Sequence, residues 1–205
     1  MHSDVVGPLP VTDDGMRYTV TFQDQFSRLT HVTGLPEKHK AAEAFELYKE
    51  DRLVRKYFPK GVERLHTDGG GEYERVSAVD ASKTAPNTPQ HNPFSERINR
   101  TLLDPIRVLL EQSGLSAKYW QYALNHIAYI KNRIPHSALG CTPYEKLTGE
   151  KPKLHHLRTF GCSTFIYKNN PESKVHAWAT PGILLGCKDH SVYIVERLSD
   201  GKIEN

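Results

Sequence analysis

The order of hydrophobic periods predicts an α/β domain with a mixed sheet, followed by a small β module. Three observations carry this. Alternating apolar and polar residues open the chain, a helical period and one more strand follow, and two long amphipathic stretches come next before the pattern returns to short strands.

Tyr18, Val20 and Phe22 alternate with Arg17, Thr19 and Thr21, the period of a strand with one buried face. Asp13-Asp14-Gly15 is a turn signal ahead of it, so Asp4-Val5-Val6 reads as the end of a preceding strand. Thr30 to Leu35 is a third strand, stopped by Pro36. His39 to Tyr57 reads as one helix, with Ala42, Phe45, Leu47, Leu53, Val54 and Phe58 on its apolar face and Pro59-Lys60-Gly61 at its end. Val62 to Thr67 is a short strand with Asp68 at its C-terminal end. Gly69-Gly70-Gly71 then gives the backbone room to turn and a ligand room to approach.

Residues 84–92 (TAPNTPQHN) read as loop. Asn92 is a suitable N-cap and Pro93 a suitable first residue for a helix buried along Ile98, Leu102, Ile106, Leu109 and Leu110. Pro105 falls inside that stripe and predicts a kink or break. Gly114 separates a second helix, capped by Ser116, whose core face is Trp120, Leu124, Ile127 and Ala128; Pro135 lies beyond its end. Thr142-Pro143-Tyr144-Glu145 is a capping box, and Gly149 closes that short helix. Further on, Thr164 to Tyr167, Ile183 to Leu185 and Val192 to Leu198 read as strands, with Asp200-Gly201 as a hairpin turn. This divides the chain into a core over 1–150 and an incompletely closed β module over 155–205.

Composition narrows the function classes. The 205 residues are 38% hydrophobic and 25% charged, enough apolar content to exclude a wholly disordered chain. No stretch approaches the roughly 20 apolar residues that span a bilayer, so no membrane partner is expected, and the opening MHSDVVGPLP does not read as a signal peptide. Cys141, Cys162 and Cys187 lack any CxxC spacing, which excludes a disulfide framework and a four-cysteine zinc site and fits a reducing compartment. The 11 histidines contain no HxxxH pair. A net charge of +3 permits a nucleic-acid partner without arguing for one.

Three carboxylates stand at positions suited to chemistry: Asp4 and Asp68 at strand ends, and Glu96 in the first turn of a helix. Neighbouring strands and a helix packed across them bring such residues together. Three converging carboxylates suit Mg²⁺ or Mn²⁺, hard cations that prefer oxygen. Two such metals, roughly 4 Å apart, are machinery for phosphoryl transfer. Spacing alone decides little, because 24 acidic residues allow many triples. An Asp before glycines is ordinarily a turn residue, and a Glu in a first turn ordinarily serves the helix dipole.

The words around the acids are more specific. HSDVVGPLP (2–10), FQDQFSR (22–28), LHTDGGGEY (65–73), NTPQHNPFSERINRTL (87–102), NRIPHSALGCTPYEKLTGEKP (132–152) and HLRTFGC (156–162) occur in this order. Together, and over nearly the whole chain, they resemble the integrase region of Ty1/copia-type LTR retrotransposons. The resemblance implies a ribonuclease H-like fold carrying a DDE triad on Asp4, Asp68 and Glu96, which would also be the metal ligands. It implies 3′-end processing of element DNA and attack of the new 3′-hydroxyl on target DNA, by a multimer, in the nucleus after a cytoplasmic virus-like particle. Gln90, Asn92, Arg97, Asn99 and Arg100 then fall along the DNA track, where their chemistry suits phosphates and base edges. The competing reading of these five is a solvent-facing helix side. A catalytically inactive DNA-binding relic and a simple metal-dependent nuclease of the same fold are the alternative functions.

The chain departs from that pattern in four places. Only 27 residues separate Asp68 from Glu96, fewer than the family's interval, so the sheet strand that leads into the TPQ loop is expected to be lost. Pro93 stands where the family has Gly, and Pro105 interrupts the catalytic helix. The zinc module that precedes the family's core, and most of the first strand, are expected to be missing. These departures point to a decayed or fragmentary copy. His66 and His91, and the basic run of Lys146, Lys151, Lys153, His155, His156 and Arg158, read as solvated side chains. Asp24 reads as orienting its own turn, and the cysteines as small buried apolar groups.

Overall fold

The computed structural model describes residues 1–59, 61–67, 80–83, 93–167 and 178–205, with residues 52–53, 80–83 and 93–97 described by backbone alone. Three antiparallel strands open it: β1 (His2–Val6), β2 (Tyr18–Gln23) and β3 (Thr30–Leu35). β1 then pairs in parallel with β4 (Arg64–Thr67), and β4 in parallel with β5 (Asp80–Lys83). The sheet order is β3-β2-β1-β4-β5, so β1 is central.

This corrects four expectations. β1 pairs with β2 along all five of its residues, and Asp4 sits in the middle of the strand rather than at its end. The strand expected to be lost before the TPQ loop is present as β5, because four residues suffice to extend the parallel ladder beside Arg64–Thr67. β2 is not half-buried either. Val20 and Phe22 are fully buried on one face, and Thr19 and Thr21 are 2% and 3% exposed on the other.

The two faces belong to two cores. Val20, Phe22, Leu35 and Leu65 pack under α1 (Ala41–Glu50) and α2 (Arg52–Tyr57), through Ala41, Ala44, Phe45, Tyr48 and Val54. The predicted single helix over 39–57 is broken at Asp51, which takes an extended ψ of 138° and accepts the Val54 N–H on Oδ1 at 3.3 Å, an N-cap for α2. Its apolar face is also rotated: Ala41, Ala44, Phe45 and Tyr48 point inward, and Leu47 is 67% exposed.

The opposite face carries Val32 against α3 (Pro93–Ser113) and α4 (Trp120–Lys131). Ile98, Leu102 and Ile106 follow the helical repeat along the buried side of α3, and the helix runs without interruption through Pro105, where a break was expected. The Ser116 side chain makes no capping bond; its carbonyl instead accepts the Tyr119 N–H in a 3₁₀ turn leading into α4. Trp120 is 2% exposed and its indole N–H donates to the Pro10 carbonyl at 2.7 Å. α5 (Pro143–Thr148) starts as its sequence demands. Thr142 Oγ1 accepts the Glu145 N–H at 3.0 Å, Pro143 opens the first turn, and Gly149 closes it at φ 77°.

A second antiparallel sheet, β6 (Ser163–Tyr167), β7 (Ala179–Cys187), β8 (Tyr193–Arg197) and β9 (Ile203–Glu204), follows in that order. Phe160 and Leu185 are buried in the core of α3 and α4, with Ile183 and Ile194 packed against it, so the module shares a core with the helical layer. Among the cysteines, Cys187 is buried and Cys141 and Cys162 are intermediate. No helix among the described residues is long and apolar enough to cross a membrane.

Candidate functional site

Strand alternation decides which side chains meet on the central strand. Asp4 pairs with Thr21, and Thr21 with Val32, so Asp4 and His2 lie on the α3/α4 face while Ser3 and Val5 lie on the other. Ile98 anchors α3 over this face, and the next residue, Asn99, donates from Nδ2 to Asp4 Oδ2 at 2.7 Å. Asp4 Oδ1 accepts the Val5 N–H at 2.8 Å. His2, Ser3, Asp4, Thr21, Ile98 and Asn99 line one crevice.

The parallel ladder is registered beside this crevice. His2 pairs with His66 of β4, and the two imidazoles stack with centroids 5.2 Å apart and planes 19° from parallel. Burial, joined by the N-terminal amine, His66 and Arg28, pushes the His2 pKa down to about 4, so its ring is neutral at pH 7.

The predicted site residues divide as follows. Asp4 is half-buried under α3. Asn99 is half-buried and donates to Asp4, so it is not on a solvent-facing side of the helix. Glu96 and Arg97 belong to the first turns of α3, where only backbone is described, with Glu96 three residues before Asn99. Arg100 is exposed. Asp68, Gln90, Asn92 and His91 lie outside the described residues. Among the described residues no group of three His, Cys, Asp or Glu is placed to hold a metal.

Asp24 does orient its turn, accepting the Ser27 N–H and hydroxyl on Oδ2, each at 2.7 Å. His156, read as solvated, is 4% exposed: its Nε2 pairs with the Tyr129 hydroxyl at 2.8 Å, and its carbonyl accepts from the Tyr193 hydroxyl at 2.8 Å. Sequence reasoning also passed over Asn132, whose amide grips the start of β3. Oδ1 accepts the Thr30 N–H at 2.9 Å and Nδ2 donates to the Thr30 carbonyl at 2.7 Å. The only signal was its place in the NRIPH word.

No protein-family model matches the chain. Among solved structures, a chain of the simian T-cell lymphotropic virus intasome in complex with PP2A regulatory subunit B56 gamma superposes with a TM-score of 0.57 at 15% identity, over 99% of this chain and 73% of that one. The fold is therefore ribonuclease H-like. Among curated proteins, the chain is 32% identical over 200 residues to the retrovirus-related Pol polyprotein from transposon TNT 1-94 of Nicotiana tabacum, which covers 92% of this chain and 15% of that protein. It is 31% identical over 172 residues to the corresponding polyprotein of transposon RE2 of Arabidopsis thaliana, covering 80% and 12%. A truncated transposon Ty1-A Gag-Pol polyprotein of Saccharomyces cerevisiae matches at 25% over 90% of this chain and 16% of its own. The chain is homologous to Ty1/copia-type Pol polyproteins over most of its length, and it spans only about a seventh of the first of these relatives.

Proposed function

We propose that the chain is the catalytic-core region of a DDE integrase from a retrotransposon Pol protein, acting on element ends and target DNA. One observation carries the reading. β1 and β4 run parallel with His2 opposite His66, and Asp4 lies two residues beyond His2 on the face of the sheet that α3 covers; in sequence, Asp68 directly follows the last residue of β4. α3 crosses that face at Asn99, with Glu96 one helical turn earlier. The presence of β5 supports the same reading, since the shortened interval before Glu96 still contains its strand.

The donor set, Asp4, Asp68 and Glu96, is all oxygen and suits Mg²⁺ or Mn²⁺. Asp4 fits such a role as a half-buried carboxylate held in place by the Val5 N–H on Oδ1 and the Asn99 amide on Oδ2. When bound, the metals would activate the attacking hydroxyl and stabilise the leaving oxygen. The chain's own contribution is positional. Asn99 fixes the rotation of the Asp4 carboxylate, while Arg97 and Arg100, with Gln90 and Asn92, hold the DNA backbone through phosphate contacts. The joining step exchanges one phosphodiester P–O bond for another: the element 3′-oxygen bonds to phosphorus, and the displaced target 3′-oxygen leaves as a hydroxyl. The protein would act as a multimer in the nucleus, reached from a cytoplasmic virus-like particle.

The test is a labelled duplex carrying an element end, incubated with the chain and Mn²⁺ or Mg²⁺. Joined products longer than the substrate are expected, and Asp68→Asn should abolish them. Identical products from wild type and Asp68→Asn overturn the catalytic reading. Shortened products without joining assign a nuclease instead.

A further inference from the structure

A cavity of about 490 Å³ opens at the outer edge of β3, between α1–α2 on one side and α4, α5 and the turn after β7 on the other. β2 separates this edge from the central strand that carries Asp4. Its wall contains Arg133, half-buried just past the end of α4. The guanidinium carbon lies 3.4 Å from the Tyr129 ring centroid and 5.2 Å from that of Tyr144, and Nη1 donates to the Tyr129 carbonyl at 3.0 Å.

Among the described residues no carboxylate lies within ion-pair distance of Arg133. One of its five N–H donors has a described partner, and two aromatic rings replace only part of the water it has lost. Lys188 lines the same cavity with an exposed ammonium and no described ion pair. Among the described residues the one carboxylate on the wall is Asp51, which caps α2. Val32, Val54, Phe58 and Leu147 supply apolar surface nearby.

We propose that this cavity is an oxoanion site in which Arg133, steadied by Tyr129 and Tyr144 and assisted by Lys188, takes the phosphate or carboxylate group of a ligand with an apolar or aromatic body. A planar guanidinium fork matches two oxygens of either group in parallel hydrogen bonds. The cavity lies within the size range of small-ligand pockets, and mixed apolar walls with a few fixed charges are their usual lining. The site is separate from the carboxylate chemistry at Asp4 and does not depend on it.

The experiment titrates inorganic phosphate, and separately acetate, into the full chain at constant ionic strength held with chloride, reading the melting temperature and the amide NMR shifts. Saturable stabilisation is expected, with shifts at Arg133, Tyr144 and Lys188. Affinity should fall at least tenfold in Arg133→Lys, which keeps the charge and loses the fork, and severalfold in Lys188→Ala, an exposed position that leaves the fold intact. Asp4→Asn should bind as wild type does, which separates this site from the metal site. A response to phosphate alone assigns a phosphorylated ligand, and one to acetate a carboxylate. Binding unchanged in both Arg133→Lys and Lys188→Ala, or no response beyond ionic strength, overturns the proposal and leaves Arg133 as a clamp on the end of α4.

Discussion

Asn99 donates its side-chain amide to the carboxylate of Asp4 at 2.7 Å, tying α3 to the central strand across 95 positions of sequence. The bond makes the first acid and the helix that contains Glu96 one mechanical unit. Asn99→Ala is expected to cost about 1.5–3 kcal/mol, the worth of a hydrogen bond to a charged group. Asn99→Asp should cost more, because it sets a second carboxylate against the first. Urea unfolding of the three proteins checks the order; equal midpoints would show that the contact contributes nothing to stability.

Asn132 grips the edge of the sheet in the manner of an added strand. Its amide satisfies both the N–H and the carbonyl of Thr30, which is 2% exposed, while Asn132 itself is 9% exposed. Asn132→Ala leaves two buried backbone groups unpaired, at an expected cost of about 2–4 kcal/mol. Asn132→Asp keeps the acceptor and loses the donor, and should lie between. Hydrogen exchange at the Thr30 amide is the sharper readout: protection there should vanish in Asn132→Ala before it changes at Phe22.

Pro105 occupies the interior of a continuous 21-residue helix, where it supplies no N–H. Pro105→Ala is therefore expected to stabilise the fold, by up to about 3 kcal/mol if no local packing opposes it. Thermal unfolding decides it. A lower melting temperature for Pro105→Ala would mean that the ring's contacts outweigh the restored backbone bond.

Stability should depend on two histidines at the junction of α4 and the β module. His126 is 3% exposed against Phe160, and His156 is 4% exposed beneath the hydroxyl of Tyr129; the Nδ1 atoms of both are buried without a hydrogen-bond partner. Burial lowers both pKa values below 6.5, and Arg133, His155, His190 and Arg158 lower that of His156 further. The unfolded chain then binds more protons than the folded one, so stability is full above about 6.5 and falls as the pH drops below it. Urea midpoints at pH 7.5 and 5.5 should differ in wild type, and the difference should shrink in the double variant His126→Phe, His156→Gln. An unchanged difference would assign the acid sensitivity elsewhere, for instance to His2.

Much of this protein is written locally. Strand β3 falls where Thr30 to Leu35 predicts it, α5 begins at its Thr142 cap, and the stripe of Ile98, Leu102 and Ile106 is buried as its period requires, since each depends on neighbours within one or two turns. The order of short words around Asp4, Asp68 and Glu96 also made the kinship with Ty1/copia-type Pol proteins legible, because such words mark shared descent and need no tertiary reasoning. Other features exist only once the chain closes on itself. The threonines of β2 are buried because helices cover both faces of its sheet. β5 is recognisable only beside Arg64–Thr67, since four residues of weak pattern become a strand when a ladder offers partners. The pairing of Asn99 with Asp4, the grip of Asn132 on Thr30 and the burial of His156 join residues far apart in sequence. Hydrogen bonds and desolvation act over a few ångströms of space, a distance on which linear order carries no information.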